Sequence, residues 1–151
     1  MNKLLTILGG LLFAGFIIAI AAAAATARWG NMLDADSKAY ADNAIPALAS
    51  GWDVQELQKR ASPELFASTS SDQLRGLFGN FQRLGRLTKY SGANGEATIS
   101  VTSKDGLTIL AAYVADAEFE HGPARIELNL IRHDTKWQVL GLRIQSNLLL
   151  N

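Results

Sequence analysis

The sequence predicts an α+β fold in which an N-terminal transmembrane helix precedes helices packed on a four-stranded antiparallel sheet. Three observations lead to this prediction. Residues 4–27 contain no charged side chain. Apolar residues near the middle of the chain recur with the 3.6-residue period of a helix. After Gly85 the period changes to two, which is typical of strands, and turn residues separate the stretches.

Composition excludes several classes of function. A chain of 151 residues leaves room for one domain after the apolar run. Its 14 Lys and Arg balance 14 Asp and Glu, so no basic surface for nucleic acid is expected. It has no cysteine, which excludes disulfides, thiolate metal sites, cysteine nucleophiles and the lipid-attachment cysteine of a bacterial lipoprotein. We expect no cofactor.

The apolar run over residues 4–27 is long enough to cross a bilayer. At about 1.5 Å per residue it spans roughly 36 Å as a helix, against a hydrocarbon core of ~30 Å. Lys3 precedes the run and Arg28 with two aspartates follows it, which indicates a cytoplasmic N-terminus. The alternative is a signal peptide cleaved near Ala27, because Ala25-Thr26-Ala27 has the small-x-small pattern that signal peptidase accepts. In both cases the domain is expected in the periplasm, either held at the bacterial inner membrane or released from it.

These features predict three segments. The anchor covers residues 1–30, a polar tether covers residues 31–36, and a single domain covers residues 37–151. Trp29, directly after the apolar run, is expected at the level of the lipid headgroups.

The first helix of the domain is predicted to start at Asp36 or Ser37, whose side-chain oxygens can cap a helix, and to reach about Ser50. Pro46 is expected to kink this helix or end it early, because proline lacks an amide proton and its ring clashes with the carbonyl four residues back. Gly51 is expected to stop it.

Three further helices are predicted. Asp53 and Glu56 have the spacing of a capping box, and Ser62-Pro63 is a cap followed by proline at the first helical position. The best-defined helix begins at Ser71 or Asp72. Its apolar stripe is expected to face the core and comprises Leu74, Leu77, Phe78, Phe81 and Leu84.

The rest of the chain is predicted to form the strands of an antiparallel meander. Lys104-Asp105-Gly106 contains the Asp-Gly signal of a tight hairpin. The apolar residues of the last strand change parity near Leu140-Gly141, which predicts a β-bulge there. The inward face of the longest strand is expected to comprise Leu107, Ile109, Ala111, Tyr113, Ala115, Ala117 and Phe119.

Helices followed by an antiparallel sheet that closes with Trp137-Gln138-Val139-Leu140-Gly141-Leu142 resemble the cystatin-like cone of the nuclear-transport-factor-2-like superfamily. The resemblance covers roughly residues 37–147. It implies a fold and no particular activity, because that superfamily includes steroid isomerases, dehydratases and noncatalytic binding or scaffold domains. Uncharacterised exported proteobacterial domains are similar in three stretches, which run from Trp52 to Leu65, from Phe81 to Leu87 and from Ala112 to Ala124.

Two sets of residues are candidates for function. If the cone holds a ligand, its lining is predicted to be Tyr40, Phe78, Phe81, Tyr113, Phe119 and Trp137. Large side chains can instead fill the cone, and a void of roughly 300 Å³ or more would favour the ligand. The second set consists of apolar residues at positions that should face water, which is typical of a contact with a partner or a second copy: Leu110, Ala112, Val114 and Ile131.

No catalytic or metal-binding constellation is apparent. Alternation places Asp116 and Glu118 on the opposite face from Tyr113, and both histidines, His121 and His133, fall at turns without ligand spacing. The leading hypothesis is a noncatalytic, membrane-anchored accessory or scaffold subunit of an envelope complex. The alternative is a module that binds a small apolar ligand in the cone. An isomerase-like or dehydratase-like enzyme is a third, which would need a buried base and acid.

Overall fold

The structure is a computed structural model that describes residues 28–102 and 106–150. The chain forms two compact units, Met1–Leu33 and Asp34–Asn151. In the first unit the described residues, 28–33, are helical. The predicted anchor over residues 4–27 lies outside the described residues, as do Lys104 and Asp105 of the predicted hairpin turn. Within the described ranges, no helix has the length and apolarity needed to cross a bilayer.

The second unit consists of four helices followed by a five-stranded antiparallel sheet. Helix α1 covers residues 34–49. The other helices are α2 (Val54–Arg60), α3 (Pro63–Ser68) and α4 (Ser71–Phe81), which continues into a 3₁₀ turn over Gln82–Leu84. The strands are β1 (Leu87–Tyr90), β2 (Asn94–Thr102), β3 (Gly106–Phe119), β4 (Gly122–His133) and β5 (Lys136–Gln145), and a 3₁₀ turn over Asn147–Leu149 follows.

The α+β class and the antiparallel sheet are confirmed, but the prediction of four strands is wrong. Strands β1 and β2 pair with the same strand, β3, at successive positions along it. Tyr90 lies opposite Ala117 and Asn94 lies opposite Val114, so β1 and β2 form two halves of one sheet edge. The break at residues 91–93 separates β1 from β2, and both pair with the same partner strand.

Local signals located most helix boundaries correctly. Asp53 caps α2 by accepting from the amide of Gln55 at 2.9 Å, and Ser62 caps α3. The expected reciprocal box at α2 is wrong, because Glu56 binds Lys59 instead. Helix α4 starts at Ser71, as predicted, and the residue before it, Ser70, forms a reciprocal capping box with Gln73.

Two expectations for α1 are wrong, namely its start and an early end at Pro46. Residues 34–36 are already helical, so the predicted start at Asp36 or Ser37 is wrong. The helix also continues through Pro46 to residue 49, although a proline inside a helix costs one backbone hydrogen bond and about 3 kcal/mol. Buried Ile45, Leu48 and Ala49 offset that cost, since they anchor the last turn in the core.

The core lies between the helices and one face of the sheet. Leu74, Phe78, Phe81 and Leu84 are buried as predicted, whereas Leu77 of the same stripe is 47% exposed. Along β3 the predicted inward residues are buried from Ala111 to Phe119. Leu107, at the other end of that strand, is 58% exposed, so the prediction that it meets the helices is wrong. The register shift of the β4–β5 pair confirms the predicted bulge near Leu140.

Trp52 lies at the centre of this core. It is 1% exposed, and its ring lies 5.2 Å from the Phe81 ring and 5.6 Å from the Phe119 ring, between centroids. Its φ of 48° is unusual for a bulky residue. The backbone accepts this conformation because it ends α1 and directs the indole inward, where it packs edge-on against Phe78.

Helix α1 lies along the split sheet edge. The Asp34 carboxylate accepts from the amide of Ala97 at 2.7 Å. One turn later, Lys38 donates to the carbonyl of Ala93 at 2.9 Å. After another turn, Asp42 accepts from the amide of Ala93 at 2.8 Å and from the Tyr90 hydroxyl at 2.7 Å. These side chains satisfy polar groups that an uncovered edge would offer to other strands.

We predict that Asp42 makes stability depend on acid pH. Burial raises the pKa of Asp42, but hydrogen bonds from Lys38, Tyr90 and Ala93 outweigh burial and hold the pKa below its ordinary value. The stabilisation is therefore present above the unfolded pKa of ~3.9 and is lost as pH falls through the lower folded pKa. Asp42→Asn should flatten the fall of the urea midpoint between about pH 5 and 2.

The matched control is Asp72→Asn on α4, where the carboxylate pairs with Arg75 and its side chain is 91% exposed. This variant should keep the acid dependence of the parent. An unchanged pH profile for Asp42→Asn would contradict the assigned role of Asp42.

A second prediction concerns Gly95. A Cβ at this position would overlap the carbonyl oxygen of Ala112, so β2 lies closer to β3 here than any side chain permits. Gly95→Ala should lower the free energy of unfolding by about 1–3 kcal/mol, as overpacking does. Gly79→Ala, on α4 with nothing within 4 Å of the added carbon, should raise it by about 0.5–1 kcal/mol. Urea unfolding followed by circular dichroism measures both, and equal effects would contradict the proposed close approach.

Candidate functional site

The six residues predicted to line a cavity divide into two groups. Phe78, Phe81 and Phe119 pack around Trp52, and Phe78 and Phe81 lie 5.7 Å apart between ring centroids. All three are at most 6% exposed. Because these rings contact one another instead of surrounding a space, the centre of the fold is packed core.

Tyr113 is also part of the core. Its side chain is 1% exposed, and its hydroxyl lies 2.8 Å from the hydroxyl of Ser37, which is fully buried. The Tyr113 hydroxyl also donates to the carbonyl of Asp34 at 3.2 Å. Burial is the main cause that raises the pKa of Tyr113, so the phenol stays neutral. These bonds fix α1 on the sheet, which explains a buried tyrosine without a ligand.

Tyr40 and Trp137 lie together at the rim of the fold. Both line an open cleft of about 740 Å³ between α1, α2 and the start of β5. Lys59, Arg60 and Lys136 flank the cleft, with Asp36 as its acid. Burial raises the pKa of Tyr40, and a hydrogen bond with Arg60 opposes this effect. The cleft therefore combines half-buried Tyr40 with the buried ring of Trp137, which is 8% exposed, beside three cations.

The predicted interface residues lie on the sheet face opposite the core. Leu110 is directly opposite Ile131 in the pairing of β3 with β4, and Ala112 is opposite Asn129. Ile131 is 7% exposed, whereas Ala112 is exposed and Leu110 and Val114 are half-buried. We call this side of the sheet the outer face. It is apolar in the middle, where an exposed antiparallel face is ordinarily polar.

A shallow hollow of about 270 Å³ lies at the centre of the outer face. Its lining comprises Thr98, Leu110, Ala111, Ala112, Asn129, Leu130 and Leu140. Leu140 reaches this face because the β5 bulge inserts one residue beside Val139. We call this feature the outer hollow. The base of the outer hollow is aliphatic, and one amide side chain lies beside it. This surface suits a protruding apolar side chain of a partner.

Charged side chains frame the outer hollow toward the end of the sheet farther from the β2–β3 turn. Asp116 lies 3.9 Å from Arg125, and Glu127 accepts from the Gln145 amide at 3.1 Å. Lys89 lies 3.7 Å from Glu118. These pairs are exposed, and such pairs contribute little to stability. They therefore supply polarity around an apolar centre, the arrangement that protein interfaces share.

Neither histidine gathers metal ligands. His121 Nδ1 lies 2.8 Å from the carbonyl of Arg83, and His133 Nε2 lies 2.9 Å from the Glu64 carboxylate. Glu64 has a pKa below its ordinary value, mainly because its own backbone amide donates to it, with His133 adding to the effect. In the part of the chain that the structure describes, no group of three His, Asp or Glu is arranged to hold a metal.

Sequence reasoning missed three of the residues that matter most here. Leu140 was predicted only as part of a bulge, with no face of the sheet assigned to it, and Asn129 was not singled out. Trp52 was noted only within a stretch of resemblance. A large apolar residue directly after a helix stop is a recognised signal of a buried contact at the helix end, and it could have identified Trp52.

The three stretches that are similar to uncharacterised exported proteobacterial domains meet in the fold. Trp52, Phe81 and Phe119 belong to one stretch each, and their rings pack together. The turn after β3 also docks on the turn before β1, where the amide of His121 donates to Leu84 at 3.1 Å and Glu120 lies 3.3 Å from Arg86. Comparison of the chain with protein families, curated proteins and solved structures finds no match.

We predict that the Tyr113 hydroxyl contributes to stability. Tyr113→Phe removes the 2.8 Å bond to Ser37 and leaves that hydroxyl with only the Asp34 carbonyl. The free energy of unfolding should fall by about 0.5–1.5 kcal/mol, the ordinary contribution of one hydrogen bond. Tyr40→Phe at the half-exposed cleft rim is the control and should change it less. Equal urea midpoints for Tyr113→Phe and the parent would contradict this role.

Proposed function

We propose that this chain is a membrane-held, noncatalytic domain of the bacterial envelope that binds a protein partner, or a second copy of itself, through the outer face of its sheet. One observation carries the proposal. The outer hollow exposes Leu110, Ala112 and Leu140 on a face of the sheet that the described helices leave open. Apolar centres within polar surroundings mark interaction sites on soluble domains.

The anchor determines the compartment in which this surface acts. Residues 4–27 cross the inner membrane with the N-terminus in the cytoplasm, and the domain lies in the periplasm. Cleavage near Ala27 is the alternative, which would release the same domain. Confinement to a membrane raises the effective concentration of a domain toward partners in the same plane, so a small docking surface suffices.

The character of the core supports a noncatalytic role. Among the described residues, only Ser37 and Ser62 are buried with polar side chains apart from the tyrosine and tryptophans. Acid-base catalysis in a cone of this kind would require a carboxyl or imidazole group within it. Asp116 and Glu118 instead lie on the outer face, where they pair with Arg125 and Lys89.

We infer membership of the cystatin-like superfamily as part of the same proposal. The order of helices before an antiparallel sheet supports it, as does the convergence of the three similar stretches on Trp52. The superfamily includes many noncatalytic domains, which is compatible with a binding role.

A small-ligand module is the second candidate, and the rim cleft is the feature that favours it. The interior is filled by aromatic rings, so a ligand would bind between Tyr40 and Trp137 instead. Lys59, Arg60 and Lys136 would favour a ligand with an anionic group beside an apolar part.

The direct experiment is gentle detergent extraction of the native protein, followed by mass spectrometry of everything that co-purifies. We expect the full-length chain with an intact Met1 and stoichiometric protein, either a partner or a second copy. A processed monomer that purifies alone would contradict both the anchor and the docking surface.

A double substitution tests the surface itself. Leu110→Lys with Val114→Lys places two cations on the outer face, and because both side chains are half-buried at the surface, folding should survive. We expect the co-purifying protein to be lost, or the mass in detergent to fall to that of a monomer. Gln58→Lys, at an exposed position of α2, is the matched control and should retain the complex. Retention by the double variant would contradict the assignment of this face.

A further inference from the structure

A second apolar surface lies on the other face of the sheet, at the β2–β3 end. Ile99 is paired with Ile109, and Val101 is paired with Leu107. Val101 is 77% exposed, Leu107 58% and Ile99 41%. By alternation these four side chains share the face that bears buried Ala111 and Tyr113 farther along β3. We call them the hairpin patch.

The hairpin patch lies at the end of the domain where the chain enters it. Helix α1 contacts Ala97 through Asp34 and Ala93 through Asp42. The eight residues from Asp34 to Asp42 rise about 12 Å along the helix, and the four residues from Ala97 back to Ala93 span about 13 Å along the chain. Because the two lengths match and the residue numbers change in opposite directions, α1 and β2 lie side by side and antiparallel. Val101 therefore lies about 13 Å beyond the level of Asp34, past the N-terminal end of α1.

The length of chain before Asp34 limits how far the domain can be from the bilayer. Only residues 28–33 separate Asp34 from the apolar run that ends at Ala27. Even a fully extended chain spans at most ~3.6 Å per residue, so Asp34 lies within about 25 Å of the end of that run. Trp29 and Met32 in this short segment are 46% and 63% exposed, which suits side chains at the headgroup level.

We propose that the hairpin patch rests in the interfacial layer of the bilayer that holds residues 4–27. This inference depends on the anchoring in the proposed function and goes beyond it, since it gives the domain a second membrane contact and an orientation. Lipid is the occupant that the patch fits. Its four aliphatic side chains carry no hydrogen-bonding group, and lipid requires none.

The neighbours of the hairpin patch support a lipid contact. Arg132 is paired with Ile109 and with Trp137 across the same row of the sheet, and its guanidinium lies 5.9 Å from the centre of the Trp137 ring. Trp137 is 8% exposed and supports the guanidinium from within the domain, whereas Arg132 is half-buried beside the aliphatic side chains, and a basic residue beside an apolar patch is typical of surfaces that bind the membrane interface. With this end against the membrane, the outer hollow faces sideways and stays open to a partner.

The absence of cysteine in the chain permits a direct test. Single cysteines are introduced into the full-length protein at Ala14, Val101 and Gln145, labelled with an environment-sensitive fluorophore and reconstituted in phosphatidylethanolamine–phosphatidylglycerol liposomes. Ala14 reports on the anchor. Gln145 is the control, because its row across the sheet includes Arg125 and Asp116, about 30 Å along β3 from Leu107.

We expect blue-shifted emission and loss of fluorescence to brominated lipids at Ala14→Cys and Val101→Cys, and neither at Gln145→Cys. Quenching at position 14 alone overturns the hairpin contact and leaves the anchor intact. No quenching at position 14 means that the anchor itself fails, and the inference fails with it. A blue shift at position 101 without quenching by lipid indicates a protein contact and overturns the proposal, as does equal quenching at positions 101 and 145.

Discussion

The fold depends on helix α1 lying against an edge of the sheet that is broken in two. Asp34, Lys38 and Asp42 follow one another at single-turn spacing and bind the backbone of β2 and of the loop before it. The rise of a helix over two turns nearly equals the length of four strand residues. One row of side chains on α1 can therefore reach backbone groups spaced along the sheet edge. This match joins β1 and β2 into one edge and orients α1 so that its other residues reach the core.

The position of α1 also decides which surfaces remain open. The helices cover one face of the sheet from Ala111 to Phe119, and aromatic rings around Trp52 fill that layer. Tyr113 and Ser37 then close the space beneath α1. Apolar side chains left over at the β2–β3 end and on the outer face cannot join this core. They are the surfaces at which contacts with lipid and protein are proposed.

Periodicity predicted the parts of the fold that depend on local physics. The α4 stripe apart from Leu77, the caps at Asp53 and Ser62 and the bulge near Leu140 were predicted, because each follows from residues close in sequence. The number of strands was not, since it depends on pairing across the sheet. Among the candidate residues, Tyr113 and the phenylalanines were recognised as inward, but their packing around Trp52 depends on contacts between distant segments.

The sequence by itself determined the α+β class, the apolar run over residues 4–27 as a candidate membrane span and the alternation that separates the two faces of β3. Composition and short-range period are sufficient for these features. Only the tertiary structure decided that the interior is packed with rings, that Leu140 joins Leu110 on the outer face, and that Leu107 and Val101 stay exposed. Burial depends on which elements cover a residue, and that is set by contacts between segments far apart in the chain.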